Sequence, residues 1–171
     1  MPTAPTKGLT RFGHELASQA RQYGRLMRLD RPIGLWLLLW PTLWGLWLAA
    51  DGRPQPVTFL IFVAGVVVMR SAGCVINDYA DRDIDGHVER TRARPLAAGF
   101  VSPAETLALF GVLGLVALAL LMLLNPLAQL LGIGAAVLTL VYPFSKRWLA
   151  APQFLLGAAF GWSIPMAFAA E

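Results

Sequence analysis

LALFGVLGLVALALLMLL (Leu107–Leu124) runs for eighteen residues without a charge, an amide or a hydroxyl. At about 1.5 Å of rise per residue, such a helix is about 27 Å long, close to the hydrocarbon thickness of a bilayer. Similar runs lie on both sides of it. Ile33–Ala50 carries no charge, and Val57–Met69 is apolar apart from Thr58, resuming after Arg70 as far as Ile76. Leu127–Phe144 and Phe154–Ala170 complete the set. The 171 residues are 57% hydrophobic and 14% charged, with a mean hydropathy of +0.59. Soluble domains carry about 25% charged residues, so the composition is that of a membrane protein. Backbone groups in lipid must be satisfied internally, and continuous rather than alternating apolar runs favour helices over barrel strands. The expected fold is an all-α membrane protein with about five transmembrane helices.

Charge orients these crossings. The N-terminal segment 1–32 carries Lys7, Arg11, Arg21, Arg25, Arg28 and Arg31. Within it Leu9, Phe12, Leu16, Tyr23, Leu26 and Leu29 alternate with Arg and Gln, the pattern of an amphipathic interfacial helix. Residues 33–171 form the transmembrane domain. By the positive-inside rule the N-terminus is cytoplasmic, the loop around Arg53 lies outside, and the loop of about 77–102 returns to the cytoplasm. Asn125-Pro126 makes an outer turn, and Lys146 and Arg147 are again inside. A cleavable signal peptide is not expected, because the first thirty residues lack an apolar core. The net charge of +4 sits beside hydrophobic spans, where topology and anionic lipid account for it; nucleic acid is not an expected partner. The single cysteine, Cys74, excludes a disulfide within the chain and reads as a small buried residue.

The returning loop opens with NDYADRDIDGHVERTRARPL (Asn77–Leu96), which holds five of the ten carboxylates of the chain. Topology alone does not require them. If the second crossing continues as a helix past Ile76, then Asn77, Asp81 and Asp85 fall on roughly one face, with Asp78 three residues before Asp81. Asp83 points elsewhere. Stacked like charges are unfavourable unless a cation neutralises them. Hard oxygen donors suit Mg²⁺, which keeps several waters and is completed by substrate phosphates. Nearby Arg90, Arg92 and Arg94 suit phosphate oxygens. DRDIDG (Asp81–Gly86) opens like an EF-hand loop, but Arg92 stands where the bidentate Glu belongs. A phosphoalcohol-transfer reading fails as well, because Glu89-Arg90 replaces the Ala-Arg it needs and no further Asp pair follows. His87 is excluded as a ligand because Mg²⁺ prefers oxygen.

NDxxDxxxD (Asn77–Asp85) followed by RTxxRPL (Arg90–Leu96) resembles the UbiA-type membrane prenyltransferases. RLDRPIGLWLLLWPTLWGLW (Arg28–Trp47), RSAGCVINDYADRDIDGHVERT (Arg70–Thr91) and YPFSKRWLAAPQFLLGAAFGWSIPMAFAA (Tyr142–Ala170) extend the likeness, closest to the branch acting on 4-hydroxybenzoate. The resemblance implies a bundle of nine transmembrane helices, of which this chain is the N-terminal part. It implies Mg²⁺-dependent transfer of a polyprenyl group from polyprenyl diphosphate to the ring of 4-hydroxybenzoate, in ubiquinone synthesis at the bacterial inner membrane. By the same likeness Asp81 and Asp85 are the metal-binding aspartates, and Asn77 and Asp78 support the metal and diphosphate. Arg90 and Arg94 face the diphosphate. Arg147, with Lys146 beside it, takes the aromatic carboxylate. The family carries a second Asp-rich motif; after Glu105 the only acid here is Glu171. The chain is therefore expected to be an incomplete enzyme, inactive alone.

Several residues carry two readings. Trp36, Trp40, Trp44 and Trp47 pack against lipid or neighbouring helices, or line a prenyl tunnel; the first is favoured. Arg70, a charge inside an apolar helix, is expected to pair with an acid or a carbonyl. Tyr142 serves either as a hydrogen-bond donor in the site or as an interface residue. The rival function is a non-catalytic membrane carrier or assembly protein. It predicts carboxylates paired internally with Arg82, Arg90, Arg92 and Arg94. An enzyme predicts Asn77, Asp81 and Asp85 converging on a cavity, with Arg147 facing them.

Overall fold

The computed structural model describes residues 6–171, with side chains from residue 13 onward. The side chains of Lys7, Leu9, Arg11 and Phe12 on the expected amphipathic segment lie outside the described residues. Seven helices and no strand occur among the described residues: α1 Thr6–Leu26, α2 Ile33–Ala49, α3 Pro56–Asp85, α4 Pro103–Leu121, α5 Pro126–Ser145, α6 Gln153–Gly161 and α7 Ser163–Ala170. Four stretches are long and apolar enough to cross a membrane: α3, α4, α5 and the α6–α7 pair. Helix α2, at 17 residues, is a shorter apolar helix. The protein is an all-helical integral membrane protein.

Local chemistry sets the helix boundaries. Pro56, Pro103 and Pro126 each begin a helix, where a missing N–H costs nothing. Ser102 and Glu105 close a reciprocal capping box at the start of α4, and the Asn125 side chain accepts from Ala128 N at 2.9 Å at the start of α5. Phe154–Ala170 reads in sequence as one helix, but the structure breaks it at Trp162. Pro165 explains the break, since it has no N–H for the Gly161 carbonyl and its ring clashes there. The break is held in place. Trp162 Nε1 donates to Leu131 O at 2.7 Å, its ring occupies the space left by Gly134, and Thr42 Oγ1 bonds Ser163 Oγ at 2.7 Å.

Helix α3 is the spine, touching α1, α2, α4 and α5. At its C-terminal end Leu26, Val75, Leu96 and Val101 form a buried cluster that ties α1 and the loop after α3 to the bundle. At the other end Leu46, Phe62 and Ala167 join α2, α3 and α7. Near that end Gln55 N also bonds the Glu171 carboxylate, and Asn125 Nδ2 bonds Ala169 O. The tryptophans of α2 face outward. Trp36, Trp40, Trp44 and Trp47 are 49–63% exposed, and none lines the cavity described below, an arrangement in keeping with the lipid-facing reading.

The last turns of α1 are more than an interfacial anchor. Tyr23 Oη and Gln19 Nε2 donate to Glu105 Oε1 at 2.8 and 2.9 Å, so the carboxylate that caps α4 also holds α1. Leu26, fully buried, fills the cluster beneath. Leu26→Ala should cost about 2–5 kcal/mol, the usual range for a buried Leu truncation. Limited proteolysis in lipid nanodiscs should then cleave within α1 well before the apolar helices. Unchanged protection of α1 would show that Leu26 does not hold it.

Candidate active site

Helix α3 continues without a break from Pro56 to Asp85, so the acid-rich motif begins on a helix rather than in a loop. At about 100° per residue, Asp78 and Asp85 lie only about 20° apart around the axis, and Asn77 and Asp81 about 40° apart. Asp81 and Asp85 are about 40° apart as well, so the cations that reach these groups, rather than the spacing, divide the expected single face into two pairs.

Asp78 and Asp85 share Arg94. Asp78 is 2% exposed; Arg28 Nη2 donates to its Oδ1 and Oδ2 at 2.8 and 2.9 Å, and Arg94 Nη1 donates to Oδ1 at 3.1 Å. Arg94 Nη1 also donates to Asp85 Oδ2 at 2.6 Å. Asp85 thus leaves the face of Asn77 and Asp81 for the arginine it shares with Asp78. The sequence reading missed Arg28, whose partner lies fifty residues away. It sits at the end of α1 in a Schellman turn: Leu29 N bonds Gly24 O at 3.0 Å and Arg28 N bonds Arg25 O at 3.1 Å. Its φ of 59° puts it in the left-handed region that glycine usually fills, at a cost of about 1–2 kcal/mol. The turn leaves the side chain bonded to Asp78.

Asn77 and Asp81 share Lys146. Lys146 Nζ donates to Asn77 Oδ1 at 2.7 Å and to Asp81 Oδ2 at 2.8 Å, and it lies 5.5 Å from the centre of the Tyr142 ring. Arg147 Nη2 donates to Ala80 O at 3.0 Å, on the same end of the bundle as Asp81. Two adjacent residues at the end of α5 therefore clamp one turn of α3. The other loop charges stand apart. Asp83 is 72% exposed and 3.5 Å from Arg82, and Arg92 pairs with Glu89 at 2.9 Å. Arg90 is exposed and has no ion pair among the described residues. Thr91 orders this segment by donating from Oγ1 to Asp85 O at 2.9 Å. Of the four arginines that the non-catalytic reading pairs with the carboxylates, Arg82, Arg92 and Arg94 do so and, among the described residues, Arg90 does not; only Arg94 reaches the buried Asp78 and Asp85.

Below these groups lies a cavity of about 750 Å³ among α2–α7. Asn77, Asp78, Arg28 and Arg94 line its polar end, and residues such as Phe62, Val66, Phe110 and Leu121 line the rest. Asp81, Asp85, Arg90, Lys146 and Arg147 are not on its wall. Arg70 is on the wall but has, among the described residues, neither the acid nor the carbonyl expected of it. Its guanidinium contacts Cys74 Sγ and fills the notch at Gly34, where a Cβ would collide with it, and its buried Nε has no partner.

Among the described residues no three acids, histidines or cysteines converge as a complete metal site. Magnesium does not need them, because one or two carboxylates, water and substrate phosphates suffice. The donors present fit that ion: Asn77 Oδ1 and Asp81 Oδ2, both hard oxygens, already converge on one cation, the Lys146 ammonium.

Residues 38–170 match the UbiA prenyltransferase family. The chain is 60% identical over 149 residues to a 4-hydroxybenzoate octaprenyltransferase of Aeromonas hydrophila, covering 87% of this chain and 52% of that protein. It is 55% identical over 166 residues to the enzyme of the same name from Saccharophagus degradans, covering 97% and 56%. The chain thus spans about half the length of the curated relatives it matches. Among solved structures, an apo UbiA homologue from Aeropyrum pernix K1 superimposes with a TM-score of 0.70 at 31% identity, over 78% of this chain and 48% of that one. A UbiA homologue from Archaeoglobus fulgidus, bound to DMAPP and Mg²⁺, shares the fold with a TM-score of 0.77 at 20% identity, over 87% and 54%.

Asp78→Ala leaves two guanidinium groups facing a buried void and should destabilise the protein by about 3–5 kcal/mol. Asp83→Ala, at an exposed position, should change stability by no more than about 0.5 kcal/mol. Thermal unfolding in nanodiscs separates the two, and equal effects would remove Asp78 from the centre of the network.

Proposed function

The chain belongs to the UbiA prenyltransferase family, and from that premise we propose that its residues serve the Mg²⁺-dependent transfer of a polyprenyl group from polyprenyl diphosphate to the ring of 4-hydroxybenzoate. The observation that carries this reading is a large, mostly apolar cavity with Asn77, Asp78 and the half-buried Arg28 and Arg94 at its polar end, beside which the Asn77 and Asp81 oxygens converge on one cation. The polar end suits a diphosphate and the apolar remainder its prenyl tail.

In this reading Asn77 and Asp81 hold the metal, with Asp78 and Asp85 supporting it. Arg94, with Arg28 beside it, donates to diphosphate oxygens as planar, permanently charged groups. Arg90, exposed in the loop, closes on the diphosphate from outside. Magnesium, when bound, offsets the charge that builds on the leaving diphosphate. The allylic carbon–oxygen bond breaks, the ring carbon ortho to the hydroxyl forms the new carbon–carbon bond, and the ring proton leaves. Apolar walls exclude the water that would quench the allylic cation. Arg147, with Lys146 as neighbour, binds the acceptor carboxylate. The charge pattern supports this end lying in the cytoplasm, and the bacterial relatives support an inner-membrane protein. Internal pairing of Asp78 and Asp85 with Arg94 would suit a non-catalytic protein, but that reading gives no reason for the cavity or for the paired oxygens of Asn77 and Asp81.

The test uses a chimaera in which this chain replaces the matching half of the Aeromonas hydrophila relative. In membranes supplied with Mg²⁺, polyprenyl diphosphate and 4-hydroxybenzoate, the chimaera should form the prenylated acid. Asp81→Ala should lower that rate at least about 100-fold, as expected for loss of a metal ligand. A folded but inactive chimaera would overturn the assignment, and an active Asp81→Ala variant would remove Asp81 from the metal site.

A further inference from the structure

Lys146 occupies an unusual position for a residue assigned to an acceptor carboxylate. Its ammonium is bonded to the same Asn77 and Asp81 oxygens that the proposed function gives to the metal, at 2.7 and 2.8 Å. Asn77 Nδ2 also donates to Asp81 Oδ2, at 3.3 Å, so the two oxygen-bearing groups are held together as a unit. The other cations near this turn are engaged elsewhere: Arg147 on Ala80 O, Arg94 on Asp78 and Asp85, Arg28 on Asp78. Among the described residues, Lys146 alone fills the place between Asn77 and Asp81.

Resting on the proposed function, we infer that Lys146 is a resident cation that holds the unloaded metal site and is exchanged for the divalent ion when the diphosphate arrives. Two physical constraints lead there. An ammonium and a divalent ion cannot both bond the same pair of oxygens, because the charges would stand within a few ångströms of each other. An incoming diphosphate then offers the lysine a stronger anion than one partly exposed carboxylate. The side chain can make that move. Lys146 caps the C-terminus of α5, where buried Ser145 anchors the backbone through its bond to Tyr142 O at 2.7 Å, while the ammonium rides on a flexible four-carbon stem. The lysine side chain itself is 31% exposed, so no packed core has to open. The consequence is ordered loading. Metal binds weakly alone and tightly with diphosphate, and by linkage each raises the affinity of the other by the same factor.

The experiment measures binding rather than turnover, with the 171-residue chain in lipid nanodiscs and Mn²⁺ as the probe, read by the electron paramagnetic resonance signal of the free ion. Without diphosphate, Lys146→Met should bind Mn²⁺ about five-fold more tightly than the wild type, the equivalent of one partly exposed ion pair. Arg147→Gln removes the same charge from the next residue without vacating the two oxygens, and should change the affinity less than about two-fold. A non-hydrolysable prenyl thiodiphosphate should tighten Mn²⁺ binding more in the wild type than in Lys146→Met. Equal or weaker binding by Lys146→Met, or an equal gain in Arg147→Gln, would overturn the exchange. Undiminished Mn²⁺ binding by Asp81→Asn would instead overturn the metal assignment on which it rests.

Discussion

The carboxylate of Asp78 is the constraint from which the rest of this end of the molecule follows. It is buried on a membrane-spanning helix, and an ionised acid there persists only with compensating charge. Two guanidinium groups supply it from opposite directions in the chain, Arg28 from the turn after α1 and Arg94 from the loop after α3. Satisfying one acid therefore locks three segments. The turn between α1 and α2 adopts a left-handed residue to reach it. The loop folds back so that Pro95, Leu96 and Val101 are buried beside Leu26. The apolar cluster and the ion network are two layers of one joint.

This joint separates two kinds of chemistry along α3. Toward Asn77 the wall of the cavity is charged and hydrogen-bonded; toward Ile61 and Phe62 it is apolar. Arg70 lies between, without an acid, resting on the backbone of α2 at Gly34. The small residue matters there because only an absent side chain leaves room for a guanidinium between two packed helices. The outer surface has no such gradient. The tryptophans of α2, with Leu37 and Leu48, face outward, as suits a surface solvated by lipid tails.

How much of this was legible in the sequence depended on the range of the interaction. Helical spacing from Asn77 to Asp85 allowed α3 to continue past Ile76, but the charge of the stretch read equally as the start of a loop, and the structure ends the helix only at Asp85. The division of that face into two pairs was not legible, since it is decided by where Arg94 and Lys146 arrive in space. Arg28 could be read as a topological charge, but its left-handed turn and its partner fifty residues on left no local trace. The break at Trp162 had a signal, Pro165, that the continuous apolar run concealed. Lys146 and Arg147 are neighbours in sequence yet bond different groups of α3, a side-chain oxygen pair and a backbone carbonyl. Adjacent residues at a helix end point in different directions, and no pattern of residue types distinguishes them.

The order of the two arginines along the chain bears on how the protein enters its membrane. Synthesis runs from the N-terminus, so Arg28 exists before α3 is made, whereas Arg94 follows Asp78 by sixteen residues. An acid delivered into lipid alone would favour the protonated form or resist insertion. One partner of the buried acid therefore precedes α3 in synthesis and the other follows it. The turn after α1 is thus the part of the joint that is made first, and the loop after α3 the part that is made last.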